Sequence, residues 1–289
     1  MIYLSQFIFP SVRTEERFLH EIKETCYTTV YPFQVLTEHD VHVLNFDEPV
    51  TVLYGGNGSG KTTALNVIAE KLQLGRDTLY NRTNFFESFT DLCEYVLERE
   101  LPENSRIITS DDVFDFMLNI RSLNEGTDNR REALFQDYYN TKSSGFRLQS
   151  LDDYEELVKV NYVRKHSKSQ YIRKQLKDNI REHSNGESAY LYFTNKIKEN
   201  GLYLLDEPEN SLSTERQQEL VQFIEESARF FGCQFIIATH SPFLLSMQNV
   251  KIYNLDEEPM KVCPWTELPN VRAYYEFFKQ HEKEFIKRD

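Results

Sequence analysis

Apolar and polar residues follow two different periods along this chain, and their alternation predicts an α/β fold. Short apolar runs typical of buried strands occur at 50–54, 202–205 and 233–238, and a shorter one is centred on Ile252-Tyr253. Helical periodicity follows the first run and returns over 214–231, where Gly232 marks the stop. Strands that alternate with helices in this way favour a sheet with helices packed against it.

Weaker patterns predict the remaining elements. Strands are expected at 30–36 and 41–46, amphipathic helices at 85–97 and 113–123, and breaks at 125–129 and 142–145. A last helix over 271–286 carries an aromatic stripe, for which core packing is favoured over an interface. The stripe consists of Tyr274, Phe277, Phe278 and Phe285.

These elements divide the chain into three parts. Residues 1–75 and 182–265 are predicted to form one discontinuous α/β core lobe. Residues 76–181 are long, polar and helical in pattern, which predicts an inserted helical lobe. Residues 266–289 are predicted to be a C-terminal helix packed on the core.

Composition narrows the class of protein. The chain has 289 residues, 40% of them apolar, and a net charge of −13, which argues against broad binding of nucleic acid through its phosphates. Cys26, Cys93, Cys233 and Cys263 are scattered, so reduced thiols and a cytoplasmic location are expected. No basic n-region precedes the apolar N-terminus, and no apolar run approaches the roughly 18 residues that span a bilayer.

A phosphate-binding loop stands between the strand at 50–54 and the next helix. The segment 55–62 reads GGNGSGKT and matches G-x-x-x-x-G-K-[ST] at every fixed position. Backbone N–H groups of such a loop cradle phosphates, Lys61 adds a positive charge, and the Thr62 hydroxyl can bind Mg²⁺. The residues predicted to contact nucleotide are Gly55, Asn57, Gly58, Ser59, Gly60, Lys61, Thr62 and Thr63.

Two further strands end in residues suited to phosphate chemistry. The run at 202–205 is followed by Asp206 and Glu207, which predicts a carboxylate near Mg²⁺ and another that orients or deprotonates a water. His240 follows the run at 233–238 and is predicted to hydrogen-bond the γ-phosphate. The alternative interpretations are an ordinary turn at the strand end for Asp206 and Glu207, and a structural role for His240.

Ser184-Asn185-Gly186-Glu187 precedes a predicted helix, and a helix N-terminus favours an anion. Ser184 and Glu187 also fit a capping box, and the two roles are compatible.

Farther upstream, a basic run from Arg164 to Arg181 favours a solvated helix face over contact with nucleic acid or a partner. Ile172, Leu176 and Ile180 would share one face of that helix.

Together these motifs resemble the nucleotide-binding domain of ABC-type ATPases. The resemblance is nearest to the soluble branch that includes RecF, SMC proteins and many small bacterial proteins that carry the name AAA-family ATPase. Residues 55–62 correspond to Walker A, 202–207 to Walker B with its catalytic glutamate, and 184–187 to the signature loop. Residues 210–213 correspond to the D-loop and His240 to the switch histidine. The resemblance covers about 28–75 and 182–255.

The resemblance implies a P-loop NTPase fold with an inserted helical lobe. It implies hydrolysis of ATP with Mg²⁺, with Lys61, Glu207 and His240 as catalytic residues and Thr62 and Asp206 at the metal. Ser184, Gly186 and Glu187 would complete the ATP site of a second subunit, so ATP should close a head-to-tail homodimer.

The sequence departs from the family pattern in two places. Asn185 and Glu187 replace the usual glycine and glutamine of the signature loop. In the family, a glutamine of the Q-loop stands where the core lobe and the helical lobe join. No such glutamine is found here, and residues 107–112 are the candidate for this junction. Tyr31 and Phe33 are candidates to stack on adenine, although core packing is favoured for both.

Three functions remain open at this stage. The first is an ATPase switch in DNA maintenance or phage defence, with a nuclease, toxin-like protein or DNA as partner and no membrane contact. The second is the ATPase subunit of a membrane transporter, which the degenerate signature loop disfavours. The third is a nucleotide-gated binding module with negligible turnover, which Glu207 disfavours.

Overall fold

The structure is a computed structural model that describes residues 1–22, 29–145, 154–176 and 185–286. The chain forms two compact units. The first contains residues 1–114 and 185–289, and the second contains residues 115–184. The phosphate-binding loop and both strand-end motifs belong to the first unit.

Nine strands are present in the described ranges, all of them in the first unit. They are β1 (Leu4–Ile8), β2 (Val43–Asn45), β3 (Val50–Tyr54), β4 (Glu94–Leu97), β5 (Arg106–Thr109), β6 (Leu202–Asp206), β7 (Gln234–Ala238), β8 (Val250–Asn254) and β9 (Lys261–Val262). A six-stranded sheet has the order β5-β6-β7-β3-β8-β9, and all its neighbours are parallel except β8 and β9. A three-stranded antiparallel sheet has the order β2-β1-β4.

The larger sheet brings three loops to one edge. The strands β6, β7 and β3 are neighbours and parallel, so the segments that follow them leave the sheet at the same end. Every residue of these three strands is buried. This burial explains their continuous apolar runs, which are typical of parallel sheets covered on both faces.

Helices make up most of the remaining described chain. They are α1 (Val12–Glu21), α2 (Lys61–Lys71), α3 (Phe86–Asp91), α4 (Ser110–Ser143), α5 (Tyr154–Lys165), α6 (Lys168–Gln175), α7 (Asn185–Lys196), α8 (Thr214–Phe230), α9 (Pro242–Leu245), α10 (Pro269–Gln280) and α11 (Glu282–Phe285). The predicted α/β class and the elements at 50–54, 202–205, 214–231, 233–238 and 252–253 are confirmed.

The second unit is helical. It contains most of α4 together with α5 and α6, around a small apolar cluster that includes Tyr138, Val163 and Tyr171. The basic segment forms two helices, because α6 restarts at a capping box made by Ser167 and Gln170. Ile180 and Arg181 lie outside the described residues, so the predicted single face is seen only up to Leu176.

Two predictions from local pattern are wrong. Residues 31–36 form turns instead of a strand, because Pro32 lacks an N–H group and Gln34 has φ 71°. The predicted helix over 85–97 stops at Asp91, and Glu94–Leu97 becomes the strand β4. Pairing with β1 explains this switch, since a tertiary partner overrides local helical periodicity.

The inserted region also differs from its predicted form. The break expected at 125–129 is absent, because α4 continues through Gly126 to Ser143. One glycine in a helix costs only about 1 kcal/mol, which the rest of a long helix offsets. The helical unit starts at residue 115 and not at 76, because β4 and β5 join the sheets of the first unit.

The aromatic stripe of the C-terminal helix is not in the core. Tyr274, Phe277, Phe278 and Phe285 are all about half exposed or more. Helix α10 is anchored instead near its start, where Leu268 and Val271 are buried and the N–H of Asn270 donates to the Tyr54 hydroxyl at 3.3 Å. The favoured interpretation of the stripe as core packing is therefore wrong.

Candidate active site

The phosphate-binding loop joins β3 to α2 and has the backbone that its glycines allow. Gly60 has φ +86°, in the left-handed region that disfavours other residues. Gly55 is needed for a different reason, because a Cβ there would lie 2.4 Å from the Ser59 hydroxyl oxygen. That hydroxyl is buried and has no hydrogen-bond partner in the described part of the chain. The loop is thus closely packed and retains unused hydrogen-bonding capacity.

Lys61 is folded back onto this loop. Its Nζ donates to the carbonyl oxygens of Gly55 and Gly56 at 2.7 and 3.0 Å, and the side chain is almost fully buried. Burial lowers the pKa of Lys61, while the nearby carboxylates of Glu207, Asp206 and Asp256 act in the opposite direction. The ammonium group is therefore held at the loop, among negative charges, where it can exchange backbone carbonyls for phosphate oxygens.

Asp206 and Thr62 meet across the site. The Thr62 hydroxyl donates to Asp206 Oδ1 at 3.0 Å. Burial, with a smaller contribution from Glu207, raises the pKa of Asp206 to about 6, although the hydrogen bond from Thr62 acts in the opposite direction. A buried carboxylate with few donors is costly unless a cation neutralises it. This pair of oxygens has the hard-ligand chemistry that Mg²⁺ prefers.

Asp206→Asn is expected to stabilise the protein without nucleotide or metal. The folded-state pKa of about 6 lies above the ordinary value of 3.8. Ionisation therefore destabilises the fold progressively as pH rises through this interval, by up to about 3 kcal/mol above pH 6. Asparagine keeps the acceptor for Thr62 and removes the charge. Urea unfolding in EDTA should show higher stability for the variant at pH 7.5.

The same comparison at pH 4 should show a much smaller difference, because Asp206 is then protonated in the folded protein. Asp111→Asn, at an exposed position, is the matched control and should change stability little at either pH. A destabilised Asp206→Asn protein at pH 7.5 would contradict the assigned burial cost.

Glu207 is held in a strained backbone conformation. It has φ 47° and ψ 54°, a left-handed geometry that costs a non-glycine residue roughly 1–3 kcal/mol. Its N–H donates to the Ala238 carbonyl at 2.9 Å, and its Oε2 accepts from Asn210 Nδ2 at 2.7 Å. Such strain concentrates at functional sites, and here it turns the carboxylate toward the cavity of the phosphate loop.

His240 lies next to Glu207. Its Nε2 is 3.6 Å from Glu207 Oε1, is buried, and has no hydrogen-bond partner in the described ranges. The backbone is fixed by Glu209, whose Oε1 accepts from the N–H of His240 at 2.7 Å and from the Thr239 hydroxyl at 2.6 Å. The imidazole is thus positioned with one nitrogen open to a ligand.

Asp256 was not predicted from the sequence. It follows β8, the neighbour of β3, and both its carboxylate oxygens accept from the N–H of Gly56 at 2.7 and 2.8 Å. This contact fixes the start of the phosphate loop from outside. The sequence signal is only that an acidic residue stands two positions beyond a short strand, which is too common to be informative.

The predicted signature loop is described in part. Ser184 lies outside the described residues, and α7 begins at the next position. A Cβ at Gly186 would lie 3.6 Å from the Ser213 nitrogen, and Glu187 Oε1 is 3.4 Å from the Arg216 guanidinium. Gly186 and Glu187 therefore pack near the start of α8.

The cavity at the phosphate loop measures about 300 Å³. Its lining in the described chain is Val35, Asn57, Gly58, Gly60, Lys61, Thr62, Thr63 and Glu207. Neither Gly186 nor Glu187 is among these residues. The predicted residues of Walker A and Walker B are thus brought together, and Gly186 and Glu187 of the predicted signature loop do not join them in the described lining.

The two adenine-stacking candidates differ in their surroundings. Phe33 is buried in the core, stacked on Phe18 and in edge contact with Phe89. Tyr31 is half-buried, and its hydroxyl lies 3.2 Å from the Thr63 hydroxyl. Of the two candidates, Tyr31 is therefore the one with a hydroxyl contact to Thr63, the first residue after the phosphate-binding loop.

Residues 107–112, the candidate for the junction between the core lobe and the helical lobe, border the site. Thr109 is the register partner of Asp206, and its N–H donates to Asp112 Oδ2 at 2.6 Å. Asp112 is buried with its other carboxylate oxygen unpaired among the described residues. The start of α4 thus presents an acidic residue, and not a glutamine, beside the Walker B strand.

Residues of this site fit a nucleoside triphosphate with Mg²⁺. The loop supplies backbone N–H groups, the Ser59 hydroxyl, which is unpaired among the described residues, and the Lys61 ammonium for phosphates. Thr62 and Asp206 would hold the metal, which supplies charge neutralisation to the phosphates when bound.

Comparison with protein families gives two matches. The ABC transporter model matches residues 40–210, which is 171 of the 289 residues. An AAA-domain model, whose description refers to the AbiEii toxin and a type IV TA system, matches residues 179–246. No curated protein matches significantly.

Solved structures give further matches at low identity. The SMC head domain of Pyrococcus furiosus bound to the C-terminal domain of ScpA is 14% identical, with 83% of this chain and 95% of that chain covered and a TM-score of 0.40. The SMC head domain of Thermotoga maritima is 14% identical, covers 77% and 92%, and has a TM-score of 0.36. The ATP-binding cassette MJ0796 bound to ADP and Pi is 16% identical, covers 76% and 88%, and has a TM-score of 0.37. At these values they carry no argument, and the family rests on the sequence match.

Proposed function

The chain belongs to the ABC transporter family of ATPase domains, whose members hydrolyse ATP, and we propose that this one uses hydrolysis to control a dimer. In this proposal Mg²⁺ is held by Thr62 and Asp206, and Glu207 is the general base. ATP closes two copies head to tail, and hydrolysis reopens them. The observation that carries the proposal is the strained Glu207 facing the cavity of the phosphate loop.

Each residue then has one task. Lys61 and the loop N–H groups bind and orient the terminal phosphates. Glu207 accepts a proton from the attacking water, and Asn210 orients its carboxylate through the 2.7 Å hydrogen bond. His240, whose buried Nε2 has no hydrogen-bond partner within the described ranges, donates or accepts at the terminal phosphate. Asp256 keeps the first turn of the loop in place.

A composite site between two copies is supported by the position of the signature residues. Gly186 packs against the turn that follows Walker B, and Glu187 forms an ion pair with Arg216, while the described lining of the phosphate cavity contains neither. Signature residues that do not face their own cavity are available to another copy. A closed dimer would also exclude water around the phosphates, which strengthens every charge interaction there.

We assign the dimer to a switch that acts with a protein effector or DNA, in DNA maintenance or phage defence. The match of 179–246 to the AAA-domain model, whose description refers to a toxin and a TA system, supports this assignment. In the described chain, no helix has the length and apolar content needed to cross a membrane.

Mixing two defective variants tests the composite site. Glu207→Gln lacks the base, and Ser184→Arg lacks a usable signature loop, so each alone should hydrolyse ATP slowly. A mixed dimer contains one intact site, made by Lys61 and Glu207 of one copy and Ser184 of the other. Random pairing puts such a site in half of the dimers, and a mixed dimer carries only one of the two blocking arginines. An equal mixture should therefore recover activity, up to about a quarter of the wild-type rate.

A mixture of Ser211→Arg and Ser184→Arg is the control for non-specific rescue by added protein. Ser211 lies beside Gly186 of the predicted signature loop, so both variants would damage the same side of the composite site. If the ATP hydrolysis rate of the Glu207→Gln and Ser184→Arg mixture equals the sum of the rates of the two separate variants, each copy carries a self-contained site.

A further inference from the structure

A groove of about 700 Å³ lies beside His240, outside the phosphate cavity. Its apolar lining comes from α9, from α10 and from the turn before α10. The lining aromatic residues are Phe243, Trp265, Tyr274, Tyr275 and Phe278. Tyr274, Tyr275 and Phe278 are 47%, 53% and 52% exposed. Exposed aromatic residues gathered around a groove are typical of protein interfaces and uncommon on free surfaces.

One carboxylate oxygen at the groove has no hydrogen-bond partner in the part of the chain that the structure describes. Glu209 is among its lining residues, and while Oε1 accepts the hydrogen bonds that fix Thr239 and His240, Oε2 is buried and unpartnered among the described residues. The lining described here contains no lysine or arginine. A buried carboxylate oxygen without a donor is destabilising, and a cationic group brought by a ligand would remove that cost.

We propose that this groove docks a basic, amphipathic segment of a partner protein. Aliphatic or aromatic side chains of the segment pack on Tyr274, Tyr275 and Phe278, and a lysine or arginine pairs with Glu209. The charge of the whole chain, −13, is complementary to such a partner. Nucleic acid is disfavoured as the occupant, because its phosphates would meet Glu209 and no lining cation.

The groove touches the nucleotide site through shared residues. Glu209 holds the backbone of His240, and the Tyr54 ring, in edge contact with His240, has its hydroxyl bonded to the N–H of Asn270 at the start of α10. A partner that pairs with Glu209 therefore contacts the residue that fixes His240. The inference rests on the proposed function, because it gives the chemistry of the partner. The two can fail separately, since a chain that hydrolyses ATP but binds no such peptide would contradict the docking groove and leave the ATPase intact.

Selection from random dodecapeptides displayed on phage, with the wild-type chain as bait and no nucleotide, tests the proposal. We expect the enriched peptides to combine a lysine or arginine with leucine or aromatic residues. For a synthetic peptide of an enriched sequence, fluorescence anisotropy should show at least ~10-fold weaker binding to Phe278→Asp and to Tyr275→Lys, since central aromatic residues carry much of the binding energy. Glu209→Gln should weaken the same peptide and leave peptides without a cation unaffected.

Phe230→Asp is the matched control, because Phe230 is an exposed aromatic residue on α8 that is not part of the groove. It should bind the peptide as wild type does. Unchanged ATP hydrolysis by Phe278→Asp and Tyr275→Lys would show that both variants are folded. Absence of enrichment, enriched peptides without basic residues, or equal binding by both groove variants would overturn the proposal. Loss of self-association in both groove variants, without peptide binding to wild type, would assign the groove to a second copy of this chain instead.

Discussion

Glu207→Gln is expected to slow ATP hydrolysis by roughly 10²–10⁴-fold, the usual effect of losing a general base. ATP affinity should change little. Glutamine has nearly the same shape and can still accept from Asn210, so the strained turn at position 207 should persist. What is lost is the ability to take a proton from water. Phosphate release under saturating ATP measures the rate, and calorimetry with ATP measures the affinity.

Glu215→Gln is the control for this substitution. Glu215 is exposed in the first turn of α8, eight positions after Glu207, and its replacement should leave turnover unchanged. A Glu207→Gln protein that hydrolyses ATP at the wild-type rate would mean that another residue prepares the water. Asp206, whose pKa is raised to about 6, would then be the first residue to examine.

Lys61→Ala should weaken ATP binding by at least ~10²-fold, because two or more hydrogen bonds to charged phosphate oxygens are lost at about 1.5–3 kcal/mol each. The ammonium is buried at the loop, and the nearby carboxylates of Asp206, Glu207 and Asp256 interact with it. Its removal leaves those carboxylates near the phosphates without the positive charge that Lys61 supplies. Titration calorimetry with a non-hydrolysable ATP analogue measures the loss.

Lys71→Ala is the matched control, since Lys71 is in the last turn of the same helix and donates only a 3.4 Å hydrogen bond to the Asp91 carbonyl. It should bind the analogue as wild type does. Equal affinity of Lys61→Ala and wild type would show that the nucleotide does not occupy the phosphate loop.

The sequence was sufficient for the elements that carry the family motifs. The runs at 50–54, 202–205 and 233–238 are buried on both faces, so their apolar character is continuous and easily read. The phosphate loop is specified by local backbone requirements at Gly55 and Gly60, which few other residues satisfy. Patterns of this kind depend on neighbours in the chain and need no tertiary information.

What the sequence could not predict depends on distant contacts. Glu94–Leu97 has a helical pattern but pairs with β1, nearly 90 residues away in the chain. The left-handed conformation of Glu207 and the contact of Asp256 with Gly56 have no local signature. The aromatic stripe of α10 has the spacing of a core helix, and only the structure shows that its side chains are exposed.

Light scattering on Glu207→Gln with ATP and Mg²⁺ shows directly whether ATP closes a homodimer. At tens of micromolar protein, we expect a shift to twice the mass of one chain with ATP, no shift with ADP, and no shift in the double variant that adds Ser184→Arg. The double variant should still bind ATP, because Lys61 and Thr62 are untouched. A Glu207→Gln protein that binds ATP and keeps the same mass with ATP as with ADP would contradict the account.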